Sequence, residues 1–575
     1  DGAWQDHSWS EIGERVDRFR SALAVEGLSP GDRVGILVAN GIDWVCLDLA
    51  AHAAGLVVVG LYPHDTAGSN AFILGHSEAR LLLVDSVERW QSLVEFRSEF
   101  PALEYAWVSE AISASPDDGI ALRSLSDILA SSSEPPAAHP AKADDLATLI
   151  YTSGTSGRPK GVMLSHHAVL WNAHAAAAII PPRRDDVFLS ILPLAHAFER
   201  TAGYYLPVIG GSTVAYARSP QTMREDLAAV KPTVVLAVPR LYERMYAAIR
   251  SAARDPIKST MLHLTVSAGW RRFEVSQRRG RLGVINELLW PLLKRGVADK
   301  VLAAFGGRLR VAVSGGAPLD RGVARLLIGL GLPLVEGYGL TEAAPTVSAN
   351  RLDDNFPGSV GRPLEGVEVK LAADNELMVR TPSIMAGYWR DPGQTARAID
   401  PEGWLSTGDQ VEIVDGRLFV RGRTKEMIVL SIGENVNPNV VEAELTRDTL
   451  FEQAVVVGHG RPFLCTVIVL DQAAWSRFAA EHNLDARKVN SEPCKAAVLT
   501  RIERQLRELP RFAQVRAVHL TLDPWTIDNG MLTPTLKIKR ERVADRFAGD
   551  IERIYSARLR RWAESEPAPR APDRD

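Results

Sequence analysis

The chain carries one glycine- and hydroxyl-rich stretch from which its architecture can be argued, Tyr151-Thr152-Ser153-Gly154-Thr155-Ser156-Gly157-Arg158-Pro159-Lys160-Gly161. An apolar run typical of a strand precedes it, and a helical pattern begins at Ser165. Glycines let backbone N–H groups approach an anion, hydroxyls add donors, and a lysine adds a positive charge. Walker A spacing is absent, because no Gly-Lys-Ser/Thr follows the glycines. The stretch therefore predicts a phosphate-binding loop of another kind, between a strand and a helix, with a flexible surface turn as the alternative.

The composition around this loop is that of an ordinary globular protein. A chain of 575 residues exceeds what one hydrophobic core organises, so two or more domains are expected. The net charge of −4 gives no indication of nucleic-acid binding, and no apolar run has the length of a transmembrane helix or the context of a signal peptide. The three cysteines have neither disulfide nor metal-ligand spacing, which fits a reduced, cytoplasmic compartment.

Short apolar segments alternate with amphipathic ones, such as Trp9 to Val25, through the first two-thirds of the chain. Runs such as Val-Val-Leu-Ala-Val are apolar without alternation, as strands covered on both faces must be. They predict an α/β fold with more than one parallel sheet between helices. The segment 246–305 predicts a helical insertion, and about 355–421 predicts a β-rich subdomain in which Asp415-Gly416 marks a hairpin. The predicted organisation is an N-terminal domain, 1–421, a second domain, 422–564, and a disordered tail, 565–575.

Five further motifs carry the polar residues expected of a nucleotide site. Most pair glycines, which admit a ligand to the backbone, with hydroxyl, carboxylate or cationic side chains. In chain order they are Val313-Ser314-Gly315-Gly316-Ala317-Pro318-Leu319, Glu336-Gly337-Tyr338-Gly339-Leu340-Thr341-Glu342, Ser406-Thr407-Gly408-Asp409, Arg421-Gly422-Arg423-Thr424-Lys425-Glu426 and Leu532-Thr533-Pro534-Thr535-Leu536-Lys537. Each motif alone is weak evidence, whereas their order and spacing together are specific.

In this order the motifs resemble those of the adenylate-forming superfamily, which includes acyl-CoA synthetases, peptide-synthetase adenylation domains and firefly-type luciferases. The resemblance extends from about Trp9 to Arg560. It implies a large N-terminal domain of two helix-covered sheets and a small β-barrel, followed by a smaller, mobile α+β domain that carries a catalytic lysine. It also implies a two-step reaction. A carboxylate attacks the α-phosphorus of ATP, giving acyl-adenylate and pyrophosphate, and a thiol, usually of coenzyme A, then takes the acyl group.

The resemblance gives each motif a role. Thr155 and Glu342 would hold Mg²⁺ on the phosphates, and Asp409, assisted by Arg423, would bind the ribose. Lys537 would be catalytic at the α-phosphate, and His196 would lie near the acyl carboxylate, with a structural histidine as the alternative. The ATP-binding positions by motif match are Thr152, Ser153, Gly154, Thr155, Ser156, Gly157, Lys160, Gly315, Gly316, Ala317, Glu336, Gly337, Tyr338, Gly339, Thr341, Asp409, Arg423 and Lys425.

Two positions depart from the family pattern. Many relatives have glycine before the catalytic lysine, where this chain has Leu536, and Lys539 is a rival for Lys537. Gly422 lies where many relatives carry the aspartate that acts as the hinge of the second domain, and glycine absorbs a large backbone change readily. The second domain is therefore expected to rotate between half-reactions, bringing in the face around Gly433, past which the pantetheine arm of coenzyme A would run.

The stretch Leu192-Pro193-Leu194-Ala195-His196-Ala197-Phe198-Glu199-Arg200 resembles the long-chain fatty acyl-CoA synthetase version of its motif. The helical insertion favours the same branch, since an alkyl chain needs a long apolar tunnel. The expected substrates are a long-chain fatty acid, ATP and coenzyme A, with Mg²⁺ as cofactor. The alternatives are a ligase that uses a carrier-protein thiol, a ligase for a shorter or aromatic acid, and a catalytically silent acyl-nucleotide binding protein. Chain-length preference and oligomeric state stay open.

The helical insertion is also basic and aromatic. Such a mixture suits transient contact with an anionic membrane surface, which gives a peripheral location at the inner face of a membrane as one expectation. Solvated helix faces over aromatic core residues are the alternative. The residues concerned are Arg271, Arg272, Arg278, Arg279, Arg281, Lys294 and Arg295, with Trp270, Phe273 and Trp290.

Overall fold

The computed structural model describes residues 4–112, 120, 122–131, 134–153, 158–219, 222–281, 283–533 and 536–565. The chain divides into two compact units, Asp1–Val420 and Arg421–Asp575. Each unit has its own hydrophobic cores. Among the described residues, no helix combines the length and the apolarity needed to cross a membrane.

The strands of the first unit form three sheets. In chain order they are β1 (Arg33–Leu37), β2 (Val57–Gly60), β3 (Ala79–Val84), β4 (Tyr105–Val108), β5 (Leu122–Ser124), β6 (Leu146–Ser153), β7 (Pro159–Ser165), β8 (Val187–Ser190), β9 (Thr213–Tyr216), β10 (Val234–Ala237), β11 (Val311–Ser314), β12 (Leu334–Gly339), β13 (Thr346–Ala349), β14 (Arg362–Pro363), β15 (Glu368–Leu371), β16 (Glu376–Arg380), β17 (Gly387–Tyr388), β18 (Leu405–Val414) and β19 (Arg417–Arg423).

The helices of the first unit alternate with these strands up to the β-rich region. They are α1 (Trp9–Val25), α2 (Ile42–Ala53), α3 (Ala67–Ser77), α4 (Val87–Val94), α5 (Leu125–Ala130), α6 (His166–Ile179), α7 (Leu206–Gly210), α8 (Met223–Val230), α9 (Pro239–Ala252), α10 (Pro256–Ser276), α11 (Val284–Leu293), α12 (Asp299–Ala303), α13 (Arg321–Gly329) and α14 (Pro392–Ala398), with π-helical turns at Glu199–Tyr205 and Lys294–Ala298.

The first sheet has eight strands in the order β17-β7-β6-β2-β1-β3-β4-β5. Its strands from β6 to β5 are parallel, and β7 and β17 add antiparallel pairs at the other edge. Successive residues of one strand enter different cores: Leu81 and Leu83 pack with Trp44 of α2, whereas Leu82 packs with Trp90 of α4. Both faces are therefore helix-covered, which explains the apolar runs without alternation and confirms the predicted α/β fold.

The second sheet has seven strands in the order β14-β13-β12-β11-β10-β8-β9, parallel from β9 to β12 and antiparallel beyond. The insertion at 246–305 is helical, as predicted, and it packs on this sheet. Leu262 of α10 and Phe305 share a core with Val235 of β10 and Ala312 of β11. The insertion is thus part of the first unit's core.

The β-rich region differs from the predicted small β-barrel. It is a four-stranded sheet in the order β15-β16-β18-β19. A barrel requires its first and last strands to pair, and here β15 and β19 occupy opposite ends of the order. The predicted hairpin turn joins β18 to β19, where Asp415 and Gly416 have φ values of 50° and 73°.

The second unit is a mixed α+β structure. A three-stranded sheet in the order β22 (Phe451–Val457), β23 (Leu464–Leu470) and β24 (Val515–Thr521) is covered by helices, and β20 (Ile428–Val429) pairs with β21 (Asn435–Val436) in a hairpin. Its last helix runs to Ser565, so the predicted tail begins one residue later at the earliest, and 566–575 lie outside the described residues. The elements are β20 (Ile428–Val429), β21 (Asn435–Val436), α15 (Pro438–Thr446), β22 (Phe451–Val457), β23 (Leu464–Leu470), α16 (Gln472–Glu481), α17 (Glu492–Gln505), β24 (Val515–Thr521), α18 (Arg540–Arg546) and α19 (Ala548–Ser565).

Candidate active site

The predicted phosphate loop joins two antiparallel strands, not a strand and a helix as predicted. Strands β6 and β7 pair so that Thr152 lies opposite Lys160 and Ser153 opposite Pro159. Helix α6 begins only after β7, so the anion-binding end of a helix does not follow the loop directly. The loop tip with the predicted residues Gly154, Thr155, Ser156 and Gly157 lies outside the described part of the chain.

The Lys160 side chain lies next to two residues that the sequence did not predict for the site. Its ammonium group hydrogen-bonds to the Gln394 side chain and lies 5.0 Å from the centroid of the Tyr388 ring. The Tyr388 hydroxyl donates to Glu342 Oε1 at 2.8 Å. Tyr388 therefore links the predicted phosphate lysine to the predicted metal-binding carboxylate. The link depends on the pairing of β17 with β7, which joins segments more than 200 residues apart and leaves no local signal in the sequence.

Glu342 has the chemistry that a magnesium ion in a nucleotide site requires. It lies in the single 3₁₀ turn Thr341–Ala343 directly after β12. Its carboxylate is hydrogen-bonded through one oxygen, and Mg²⁺ in such sites is held by one or two carboxylates together with substrate phosphates and water. The described residues contain no group of three or more acidic, histidine or cysteine side chains that could hold a metal ion.

Two glycine-rich motifs meet at the second sheet. Strands β11 and β12 are parallel neighbours, and their pairing ends with Ser314 opposite Glu336. Gly315, directly after β11, and Gly337 of β12 therefore come next at the carboxyl edge of this parallel pair. Ligands of open α/β sheets bind at this edge. A Cβ at Gly315 would lie only 3.1 Å from the Phe198 ring, so a larger residue would require this ring to shift by a few tenths of an ångström. The structure therefore brings together the two halves of the predicted adenine slot.

Asp409 approaches this slot from the four-stranded sheet. The Tyr338 hydroxyl donates to Asp409 Oδ2 at 2.6 Å, and the carboxylate is buried. Glu336, the first residue of the same motif as Tyr338, is also buried and accepts the Gly358 N–H at 2.8 Å. Burial raises the pKa of the Glu336 carboxyl to about 7. Two buried carboxyls, Asp409 and Glu336, thus flank the slot.

His196 lies in the segment that follows β8. The Phe198 N–H donates to His196 Nδ1 at 3.2 Å, and the Arg200 N–H donates to the His196 carbonyl at 3.0 Å. Because Nδ1 accepts a hydrogen bond, the neutral ring carries its proton on Nε2 and presents a donor there. A donor suits the predicted position near a carboxylate.

The other predicted residues lie in the second unit. Lys537 closes a tight turn: its N–H donates to Thr533 Oγ1 at 3.0 Å, and its carbonyl accepts the Thr533 N–H at 2.8 Å. Leu536 has a φ of 62°, a left-handed conformation that favours glycine, which gives a physical reason for the glycine in the family pattern. The rival Lys539 lies past the turn, at the N-cap of α18.

Gly422, the predicted hinge, has a φ of 155°. A Cβ at this position would lie 2.7 Å from Asn437 Nδ2, and the Asn437 amide donates to the Arg421 carbonyl. Only glycine fits this arrangement without displacing Asn437. Arg423 ends β19, Lys425 lies in a 3₁₀ turn, and Gly433 is an exposed turn residue with a φ of 85°.

Comparison with known proteins gives a consistent result. Residues 1–389 match the AMP-binding enzyme family, and residues 425–559 match the AMP-binding enzyme C-terminal domain. Long-chain-fatty-acid–CoA ligase FadD15 of Mycobacterium bovis is 34% identical in an alignment of 572 positions that covers 97% of this chain and 93% of that protein. The peroxisomal long chain acyl-CoA synthetase 6 of Arabidopsis thaliana is 34% identical in an alignment of 593 positions that covers 96% of this chain and 82% of that protein.

A solved structure shares the fold. The adenylation domain of a carboxylate reductase from Mycobacterium chelonae matches with a TM-score of 0.75 and 23% identity, covering 96% of this chain and 84% of that one. Two helix-covered sheets and a separate C-terminal unit match the structures of adenylate-forming enzymes. The chain belongs to the AMP-binding enzyme family. The resemblance predicted from the motifs, including that to the long-chain acyl-CoA synthetase branch, is confirmed.

Proposed function

We propose that the protein is a long-chain fatty acid–CoA ligase, which converts ATP, a fatty acid and coenzyme A into acyl-CoA, AMP and pyrophosphate through an acyl-adenylate. The observation that carries the proposal is similarity over nearly the whole chain to relatives named as ligases of this kind. The contacts of Tyr388 with Lys160 and Glu342 support it, because they bring a cation and a carboxylate to the end of the site where pyrophosphate would leave.

In this proposal each group stabilises one part of ATP or of the developing charge. Lys160 binds the β- and γ-phosphates, and Asp409 accepts hydrogen bonds from the ribose. Lys537 supplies positive charge at the α-phosphate while the acyl carboxylate attacks, and His196 donates from Nε2 to the carboxylate. Mg²⁺, held by Glu342 and Thr155, would neutralise phosphate charge. In the second step Gly433 would leave room for the pantetheine arm, and a thiol of coenzyme A would displace AMP.

Pyrophosphate release with a panel of acids tests the proposal. We expect release with palmitate and other long-chain acids, weak release with short-chain acids and benzoate, and thioester formation only when coenzyme A is added. A thioester that forms on a carrier protein but not with coenzyme A would favour the carrier-protein alternative. The absence of pyrophosphate release with every acid would favour the silent binding protein.

We also propose that the helical insertion contacts an anionic membrane surface. Between residues 254 and 300 the sequence holds ten cationic and four acidic side chains, whereas the whole chain has a net charge of −4. Large apolar side chains are exposed on the same helices: Ile257, Met261 and Leu264 on α10, and Leu288, Leu289 and Leu292 on α11. The aromatic residues Trp270 and Phe273 are instead partly buried and pack against the core, so they are not part of the proposed contact surface. Exposed aliphatic and cationic side chains together suit an anionic interface.

Vesicle flotation tests this contact. We expect binding to vesicles with phosphatidylglycerol, little binding to pure phosphatidylcholine, and a reduction of about tenfold for the pair Leu288→Ser and Leu292→Ser, which lose their apolar contact. The matched control pair is Val25→Ser and Leu170→Ser, two exposed apolar side chains on other helices. Equal binding of both pairs, or a concentration-dependent dimer in place of vesicle binding, would contradict the proposal.

A further inference from the structure

The segment between β8 and His196 is held by a side chain from the first sheet. Asn40, which follows β1, donates from Nδ2 to the Leu192 carbonyl at 2.7 Å and to Ser190 Oγ at 3.1 Å. Its Oδ1 accepts the Leu194 N–H at 2.9 Å. One amide group therefore satisfies three polar groups of a segment that belongs to the other sheet.

Arg200 holds the same segment from the opposite direction. Its Nε donates to the Leu194 carbonyl at 3.0 Å, and its Nη1 donates to Thr148 Oγ1 of β6 at 2.6 Å. The guanidinium lies 4.7 Å from the Trp44 ring centroid, and the residue is only 1% exposed. The N–H and the carbonyl of Leu194 are thus both hydrogen-bonded by side chains. Asn40 follows β1, and Arg200 also binds Thr148 of β6, so both contacts connect Leu194 to the first sheet.

The packing leaves little room for the segment to move. A Cβ at Gly60 of β2 would lie 2.5 Å from Arg200 Nη2 and 2.9 Å from Ala195 Cα. The glycine lets the segment lie directly on the backbone of the first sheet. Two residues after Leu194, the His196 N–H donates to the Pro193 carbonyl at 2.9 Å, so the turn that carries the imidazole contains the bound residue Leu194.

We infer that Asn40 and Arg200 are positioning residues, which fix His196 relative to the acyl carboxylate by holding Leu194 on the first sheet. The role of His196 in this inference rests on the proposed function. The positioning of Leu194 by Asn40 and Arg200 rests on the hydrogen bonds described above. A catalytic group misplaced by about 1 Å loses on the order of 100-fold in rate, so a single lost anchor is enough to be measured.

Asn40→Asp is the sharpest test, because it keeps the shape and the acceptor for Leu194 and replaces the donor by an oxygen that repels the Leu192 carbonyl. We expect pyrophosphate release to fall at least about tenfold, with the KM for ATP changed less than about twofold. Arg200→Lys, which keeps the charge but cannot make both hydrogen bonds, should behave alike. The matched control is Asn286→Asp, a buried amide that donates to the Ala268 carbonyl at 3.2 Å in the helical insertion.

Two readouts separate positioning from general destabilisation. In a His196→Ala background, Asn40→Asp should lower the rate less than about threefold, since its effect runs through His196. Amide exchange of the peptide 190–198 should rise in Asn40→Asp and not in Asn286→Asp, whether or not the protein is an acyl ligase. An equal loss of rate in both backgrounds, full activity of His196→Ala, or unchanged exchange would overturn the inference. A wild-type protein without ligase activity would refute the proposed function separately.

Discussion

Tyr388 makes two different interactions in the candidate site, and the one through its hydroxyl can be removed alone. Its hydroxyl donates to Glu342 at 2.8 Å, while its ring faces the Lys160 ammonium. Tyr388→Phe keeps the ring contact and frees the carboxylate that we propose as a magnesium ligand. Loss of such a partner typically weakens metal affinity at least tenfold, so half-maximal pyrophosphate release should need about tenfold more Mg²⁺.

The control for this prediction is Tyr338→Phe, which removes the hydrogen bond to Asp409. That change should raise the KM for ATP through the ribose contact and leave the Mg²⁺ requirement unchanged. The same Mg²⁺ requirement in Tyr388→Phe and in the wild type would show that the hydroxyl does not orient the metal site.

Lys537 and Lys539 can be distinguished by separate alanine variants. The Thr533–Lys537 turn fixes the backbone of Lys537, whereas Lys539 lies beyond it at the start of α18. We expect Lys537→Ala to lower pyrophosphate release by at least about 100-fold, since it removes the charge that we propose stabilises the transition state at the α-phosphate, and to leave thioester formation from supplied acyl-adenylate intact. If Lys539→Ala produced this pattern and Lys537→Ala did not, the assignment would be wrong.

Glu336 predicts a pH dependence of stability. The pKa of its carboxyl is raised by burial from 4.5 to about 7, so the folded state binds the proton more tightly than the unfolded state does. The free energy of unfolding should therefore fall as the pH rises from about 4.5 to 7, by about 3 kcal/mol in total. The positive charge of Arg321 lowers the pKa of Glu336, and the negative charge of Asp320 raises it.

Chemical denaturation across this pH range checks the prediction. Glu336→Gln keeps an acceptor for the Gly358 N–H and cannot ionise, so it should be more stable than the wild type at pH 8 and similar to it near pH 5. The control is Glu365→Gln, an exposed carboxyl. Parallel stability profiles for Glu336→Gln and the wild type would refute a buried, proton-binding Glu336.

At the scale of elements, local signals could be predicted from the sequence and long-range pairings could not. The amphipathic pattern from Trp9 to Val25 predicts a helix, and α1 has these bounds, with its start fixed by the capping box that Ser8 and Glu11 form. Strand β7 was missed because its Gly, Pro and Lys residues are typical of a loop, although it pairs along its whole length with β6. Strand β17, only two residues long, depends entirely on that missed strand.

The same limit applies to the candidate site. The glycine motifs could be found because a backbone that approaches a ligand needs glycine wherever it occurs. Tyr388, Gln394 and Asn40 could not, because a single polar side chain has no local pattern and gains its role only from a distant partner. The small β-barrel was implied by the family resemblance, whereas the local pattern of 355–421 predicts strands without determining whether the outer two pair.

At the scale of the whole molecule, the backbone at Gly422 is the point from which a domain rotation can be tested. Its φ of 155° is inaccessible to proline, whose φ is close to −65°. Gly422→Pro therefore excludes the backbone conformation of residue 422 described here and allows only conformations with a φ close to −65°. If the two half-reactions need different conformations at this residue, one of them should slow about tenfold or more while the other changes far less.

Single-turnover rates of pyrophosphate release, and of thioester formation from supplied acyl-adenylate, measure the two half-reactions separately. The matched control is Gly460→Ala, a turn glycine of the second unit with a φ of 68° and no atom within 4 Å of an added Cβ. Because it strains a turn without touching position 422, it should lower both rates equally or not at all. Equal losses in Gly422→Pro, in proportion to its loss of thermal stability, would mean that this residue is structurally required and that the rotation has its hinge elsewhere.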